Sequence, residues 1–490
     1  MRIVTLFCLF VLGSVSGLAA QSRETVAYVQ EALQGLGHDP GTADGAWGPR
    51  SRKALNEYRA TLDLPEHQDI MGSTLYFLHR NAPAEPSLPY PGRILEGFED
   101  RQRYLEQYPD IRDRHCNNNL QLNPVEPDWE PVLRFTEGNA SFAKGYISNQ
   151  NDWFSSISEG IAISSGSCVA GDDAQCDILW DYVKKWSAEN ALTTPVKKRP
   201  NSENFDGAAW IANSVLQPLI FATALVIETK NPPAEEIAPV LDWLYDRVNH
   251  FNFVSTKNTR VGALNSTIAR NHALAAVLPS MTLGALLGDA ILFERGLPQF
   301  EAAMLSQRGD GSFPTETRRG SRALHYTGLQ LSYLFAMAEV AKSQDFDLYD
   351  VRWPKGESLH KGVSYALSGW SNWGKHVLKY AKVNHAAPKT PISPMATYFE
   401  GNMGWLPIYV RRFGDHPNVD RMRDLVLDPV ICSPRHIADG RSDKSWCEKA
   451  GVPPLSLSAM LLDRSVKMPV FNHSMGFNGA CFLSETNGLF

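Results

Sequence analysis

The sequence has no Cys-x-x-Cys pair and no cysteine–histidine group at zinc spacing, so neither a structural metal site nor a cofactor is expected. It has no surplus of positive charge. Its 47 Lys and Arg stand against 53 Asp and Glu, a net charge of −6, which argues against a general nucleic-acid binder. After Met1–Ala20 there is no uninterrupted apolar run of about 18 residues, so no membrane span is expected. Period-two alternation is missing, which leaves little room for strands, and no repeat of fixed period points to a regular solenoid.

What remains is ordinary globular material: 490 residues, 43% hydrophobic and 20% charged, enough for one large domain and a small one. Met1–Ala20 reads as a secretory signal peptide. Arg2 supplies the positive start, Ile3–Val15 the apolar core and Gly17-Leu18-Ala19 a small-x-small cleavage site. A periplasmic, oxidising compartment follows from that reading. Of seven cysteines Cys8 is lost with the signal, and six others imply three disulfides. The expected pairs are Cys168–Cys176 and Cys432–Cys447 as local staples, with Cys116–Cys481 tying the ends of the large domain together.

Residues 23–81 form a compact unit. Val26, Val29, Leu33 and Leu36 make a helical stripe with Gly37 as its C-cap, and a turn-rich loop runs from Asp39 to Pro49. Two further helices are expected over Ser51–Leu62 and Ser73–His79. The order of Gln30, Leu33, Leu36-Gly37, the Asp44-Gly-x-Trp-Gly48 turn, Ala54-Leu55 and Tyr58 resembles the small three-helix peptidoglycan-binding domain. The resemblance implies a non-catalytic module that docks peptidoglycan, with Trp47 read as a plug in its small core. Residues 82–92 carry four prolines in eleven positions and read as an extended spacer. A large domain then spans 93–490.

That domain reads as all-α. Candidate helices are Ile94–Tyr108, Cys176–Leu192, Phe205–Glu228, Glu235–Asn252, Ser266–Asp289, Ala290–Ser306, Ser321–Lys342, Ser358–Val383 and Pro394–Phe413. Ser266–Asp289 is apolar almost all round, as in the inner ring of a helical toroid. The Ser-rich stretch Ser155–Ser167 reads as loop, as does Ser202–Asn204.

Two stretches carry candidate chemistry. Arg319, Arg322 and Tyr326, at seven- and four-residue spacings, share one face if a helix starts near Glu316. Asn271 and His272 fall in the second turn of a helix capped by Asn265 or Ser266. Each alone has an ordinary explanation, a solvated basic helix start for the first and a satisfied core histidine for the second. Together they are more specific. An Asn-His pair, followed some forty residues later by Asp310-Gly-x-x-Pro-x-Glu-x-x-Arg319 and Arg322-Ala-Leu-x-Tyr326, resembles the alginate lyase family from about Asp177 to Trp405.

The resemblance implies an incomplete α/α toroid with an axial cleft and a polysaccharide lyase acting on a uronate polymer. It assigns Asn271 and Arg319 to the uronate carboxylate, and His272 and Tyr326 to proton transfer. Arg270, Arg322, His325 and Trp405 are the candidate substrate contacts. Arg270, Ala273-Leu274 and Thr327 depart from the family pattern, which bears on substrate more than on reaction type. Asn472-His473 repeats the dipeptide but follows the Arg/Tyr segment, so it is set aside.

The chemistry suits these residue types. β-Elimination removes the C5 proton of a uronate, and donors on the adjacent carboxylate stabilise the charge that develops. A phenol has an intrinsic pKa of about 10 and needs cationic neighbours to act as a base. Two rival readings use other features. A glycoside hydrolase would use two carboxylates from among Asp206, Asp310 and Glu316. A non-catalytic wall-associated polysaccharide-binding protein would only stack sugars on Trp153, Trp210, Trp370, Trp373 and Trp405.

Overall fold

The computed structural model describes residues 22–82, 88–95, 97–116, 124–128, 153–192, 206–251, 271–319, 323–371, 376–377, 379–380, 403–427 and 475–483. For residues 114, 153–156, 206–211, 251, 370 and 423–427 only the backbone is described. Residues 1–21, Cys432, Cys447, Ser202–Asn204 and Asn472-His473 lie outside these residues. The described residues contain helices and connecting turns and no strand, as the missing alternation predicts.

Three helices open the chain: α1 (Arg23–Gly35), α2 (Pro49–Ala60) and α3 (Gly72–Asn81). Ser22 caps α1 by accepting from the Thr25 amide, and Gly37 follows with φ +88°, a left-handed geometry that favours glycine. Val26, Val29 and Leu33 are buried, as their spacing requires. Gln30 fastens the Asp44–Gly48 turn, donating to the Ala46 carbonyl (3.0 Å) and accepting from the Gly45 amide (2.9 Å). Trp47 packs half-buried against the core while its indole N–H donates to the Gln68 carbonyl.

Helix α4 (Phe98–Gln107) falls within the expected Ile94–Tyr108, and α5 (Pro109–His115), which Pro109 starts, was not foreseen. Next come α6 (Trp153–Val169), α7 (Asp173–Ala188), α8 (Asp206–Lys230) and α9 (Ala234–Phe251). Helix α6 corrects the sequence reading of Ser155–Ser167 as loop. Ser158, Ser164 and Ser165 are buried, with Ser158 donating to the Ser214 carbonyl and Ser165 to the Ile161 carbonyl four residues back. Small side chains let α6 lie close to α8, and that packing outweighs the weak helix propensity of serine.

Helix α10 (Asn271–Leu287) leads to α11 (Ala290–Glu294) and α12 (Leu297–Leu305). The expected single helix over Ala290–Ser306 is broken at Arg295-Gly296, and Asp289 caps α11 through the Ile291 and Leu292 amides. Helices α13 (Pro314–Thr317) and α14 (Ala323–Lys342) follow, then α15 (Leu359–Ser371), α16 (Trp405–Arg412), α17 (Pro417–Leu427) and α18 (Gly479–Leu483). The last two were not foreseen.

Packing makes these helices an incomplete α/α toroid. An inner series α6, α8, α10, α14 and α16 runs side by side, with α7, α9, α11, α12, α15 and α17 outside it. Helix α18 packs against both α16 and α5, so the last described helix meets the start of the domain. Every residue of α10 from Leu274 to Leu287 is buried, as is every residue of α14 from Ala323 to Ala341. Helix α8 is long and apolar enough to cross a membrane, yet it is mostly buried in this core.

Two of the expected disulfides are present. Cys116–Cys481 joins α5 to α18 across a sequence separation of 365, and Cys168–Cys176 staples α6 to α7. The N-terminal helices share one continuous apolar core with the toroid. Helix α3 packs on α9 and α10, with the Ser73 amide donating to Asp242 (2.7 Å). A Cβ on Gly72 would run into the Leu241 carbonyl, so only glycine allows that approach. Beyond α3, Gln344 grips the backbone of Tyr90 and Arg93, and the Gly92 amide donates to the Ala285 carbonyl.

Candidate active site

The site is built where the first turn of α10 meets the segment Asp310–Arg319 and the start of α14. Asp310 begins that segment with a tight turn, accepting from the Ser312 amide (3.1 Å) and hydroxyl (2.6 Å). Gly311 has φ +87° and lies so close to the Lys361 carbonyl that a Cβ would clash. Burial alone would raise the Asp310 pKa. Bonds from Lys379 (2.8 Å), Ser312 and Tyr380 (2.7 Å) outweigh it and hold this carboxyl well below the usual range. Arg308 braces the turn by donating to Ser312 and Thr317, and its guanidinium covers the Tyr380 ring at 4.0 Å.

Pro314 starts the single turn of α13, which the Thr317 hydroxyl closes by donating to the Phe313 carbonyl. Glu316 points inward and is 0% exposed. One of its oxygens accepts from the Asn271 backbone amide (3.2 Å) and the Thr315 hydroxyl (3.1 Å). The other lies 2.7 Å from the Asn271 side-chain nitrogen. Burial pushes the Glu316 pKa up, opposed by the Arg319 charge and by the bonds from Asn271 and Thr315.

Arg319 follows in the turn after α13, its amide donating to the Glu316 carbonyl. It therefore precedes α14 instead of lying two turns along the same helix. A helix starting near Glu316 is broken because α13 ends at Thr317 and the long helix is described only from Ala323. The guanidinium nevertheless reaches Tyr326, lying 3.7 Å from the centre of its ring. His325 meets Tyr326 edge to face, with centroids 4.7 Å apart.

The structure thus joins Asn271, Glu316, Arg319 and Tyr326 in one chain of contacts, with His325 beside Tyr326 and half-buried His272 next along α10. Asn271 is 1% exposed and Tyr326 9%. A carboxamide, a guanidinium, an imidazole and a phenol are thereby linked, with the His272 imidazole on the residue after Asn271. Arg270 and Arg322 lie outside the described residues. Trp405 does not join the site. It is 0% exposed and packs between Phe335 and Tyr409, leaving no face for a sugar. The side chains of Trp153, Trp210, Trp370 and Trp373 lie outside the described residues.

Sequence reasoning gave Glu316 only the roles of helix-start residue and rival carboxylate. Its partner Asn271 is 45 positions away, so no local spacing reveals the pair. Lys379 and Tyr380 were missed for the same reason, since both reach Asp310 from a segment about 70 residues later.

Comparison with known proteins bears on this arrangement. A family model described as alginate lyase matches residues 140–375. A curated polysaccharide lyase from Stenotrophomonas maltophilia (strain K279a) is 25% identical over 238 residues, spanning 47% of this chain and 67% of that protein. Among solved structures, an apo form of alginate lyase A1-III superposes with a TM-score of 0.53 at 17% identity, covering 82% of this chain and 98% of that one. Alginate lyase A1-III from Sphingomonas species A1 gives a TM-score of 0.52 at 19% identity, covering 68% and 91%. A form complexed with a tetrasaccharide gives 0.51 at 19% identity, covering 68% and 92%. At these identities the structural likeness establishes a shared fold.

Proposed function

We propose that the chain, a polysaccharide lyase similar to the alginate lyase family over residues 140–375, cleaves a uronate polymer by β-elimination. Polymannuronate or alginate is the first substrate and a polyglucuronate-type polymer the second. The observation that carries this reading is the contact chain Asn271–Glu316–Arg319–Tyr326, inside the matched region. A related fold binding a tetrasaccharide supports a substrate of several sugar units.

In this reading Asn271 and Arg319 hold the uronate carboxylate and stabilise the charge that grows on it as the C5 proton leaves. Tyr326, with Arg319 against its ring, takes that proton and returns it to the departing 4-oxygen, sharing the work with His272 according to which face carries the proton. His325, beside Tyr326, is read as a substrate contact, and Arg270 and Arg322 are read as further ones from the sequence alone. The first 20 residues support export to the periplasm, and the N-terminal three-helix unit supports attachment to peptidoglycan.

A hydrolase is less well supported. Glu316 is sealed and committed to Asn271, and Asp310 is committed to Lys379, Tyr380 and Ser312, so neither is free as a paired acid or nucleophile. The test is direct. Purified protein is incubated with polymannuronate, polyguluronate and polyglucuronate, and ultraviolet-absorbing unsaturated ends are followed. New reducing ends without that absorbance would select the hydrolase, and saturable binding without product would select the binding protein.

A further inference from the structure

The amide oxygen of Asn271 is buried and has no hydrogen-bond partner among the described residues, while the nitrogen of the same carboxamide is given to Glu316. A buried amide oxygen left unpaired carries its full desolvation penalty, so natural folds seldom keep one without a reason. The oxygen and nitrogen ends of a carboxamide have nearly the same shape, and either can face Glu316. With the nitrogen turned to Glu316, the outward group is an oxygen, which repels a carboxylate. With the oxygen turned to Glu316, the outward group is an NH2, which binds one.

We propose that Glu316 is a positioning residue: its carboxyl group sets which end of the Asn271 carboxamide is presented to the uronate carboxylate. The inference rests on the reading of Asn271 as a carboxylate-binding residue. An ionised carboxylate can only accept, so it captures the NH2 and turns the oxygen outward. A neutral carboxylic acid donates its O–H to the amide oxygen and turns the NH2 outward. The bonds from the Asn271 backbone amide and the Thr315 hydroxyl hold the other Glu316 oxygen in place, so the oxygen facing the carboxamide is the one that carries the proton.

Burial of Glu316 favours the neutral form. Charged and titratable side chains at the near ends of the elements packed against it are Arg308, Asp310, Arg318 and Arg319 from its own segment, His272 at the start of α10, and His325 and Tyr326 at the start of α14. The Arg319 charge favours the ionised form and so works against burial. Rising pH then turns the carboxamide into the orientation that rejects substrate.

Three variants and one spectrum test this. E316L removes the orienting group and should lower kcat/KM on polymannuronate by roughly 10²-fold, the scale of one misplaced donor at developing charge. E316Q has a permanent NH2 in place of the acid O–H. It should recover most of that loss and remove from the alkaline limb of the pH profile the part due to Glu316. An E316Q profile identical in shape to wild type, or a loss as deep as that of E316L, would overturn the proposal. Infrared difference spectra of wild type minus E316Q need no substrate. They should show a protonated carboxyl band at the pH of activity that shifts in Asn271→Leu, and its absence there would also overturn the proposal. A wild-type protein that yields no unsaturated product from any polyuronate refutes the lyase reading of Asn271 instead, whatever the band shows.

Discussion

The guanidinium of Arg319 lies 3.7 Å above the ring centre of Tyr326, although the two residues sit on either side of a helix start. The contact holds the phenol while leaving its hydroxyl out of the stack. Tyr326→Phe should therefore keep the ring, the stack and the melting temperature. It should cut formation of unsaturated product by about 10²–10⁴-fold, the usual share of a general acid–base. Arg319→Lys keeps the charge but loses the planar face and the fork of donors, so KM should rise as kcat falls. Initial rates by ultraviolet absorbance, read beside thermal melts, check both. A Tyr326→Phe enzyme with near-normal rates would remove Tyr326 from the chemistry.

Among the ties between the N-terminal helices and the toroid is a half-buried carboxylate. Asp242 accepts from the Ser73 amide at the start of α3, where amide groups lack partners within the helix. Asp242→Ala should cost about 1–3 kcal/mol through the amide left unpaired. Helix α3 packs near the Ala285–Gly288 end of α10, some 17 residues from Asn271, or roughly 25 Å at 1.5 Å per residue. Catalytic constants should therefore change little while the melting temperature falls. Thermal melts and initial rates on the same preparation separate the two effects, and an unchanged melt would mean the junction contributes nothing.

Much of this was legible in the chain. Helices α10 and α14 carry apolar residues on every side, and such helices have nowhere to lie except between neighbours. Asn271, His272, Arg319 and Tyr326 stood out by residue type and spacing, Cys168–Cys176 by closeness in sequence, and Cys116–Cys481 was expected only as a tie between the ends of the domain. The failures have a common cause. Ser158 and Ser165 look like loop residues until partners on α8 and in the preceding turn are known, and Trp405 looks like a sugar platform until Phe335 and Tyr409 enclose it. Glu316 looks like a helix-start acid until Asn271 arrives from 45 positions away. Local spacing carries periodicity, whereas burial and partner choice are set by distant contacts.

The Cys116–Cys481 bond closes a loop of 365 residues and binds α18 to α5. Helix α18 also receives Arg101 of α4, which donates to the Cys481 carbonyl at 2.8 Å. Replacing both cysteines by serine should lower stability by about 2–5 kcal/mol. The Cys168–Cys176 loop spans eight positions between two helices already packed together, so its removal should cost less. Denaturant midpoints of the two double variants check the order, and the reverse order would show that packing alone holds α18.

Acid sensitivity has a specific source in the outer layer. Tyr409 places its hydroxyl between His360 (2.8 Å) and His416 (2.9 Å), whose rings stack 4.1 Å apart and nearly parallel. Asn418 donates its backbone amide to His416 and its side-chain nitrogen to the Tyr409 oxygen, so His416 Nδ1 is an acceptor and that ring is neutral. Burial, and then the charge His416 would carry, lower the His360 pKa from 6.5 to about 4, and burial lowers His416 as well. In the unfolded chain these imidazoles take up protons near pH 6.5, whereas in the folded state His360 resists until about pH 4 and His416 is shifted in the same direction. Stability from them is therefore complete above pH 6.5 and is lost as the pH falls toward 4. His79, stacked on Tyr28 and lowered to about 4 by burial, acts with the same sign at the N-terminal junction. His360→Gln should flatten part of the decline between pH 6.5 and 4, and His79→Gln a separate part, since the two sites share no contact. Chemical denaturation at steps of pH reads both slopes. A wild-type stability that does not fall across this window would show that neither histidine resists protonation in the folded protein.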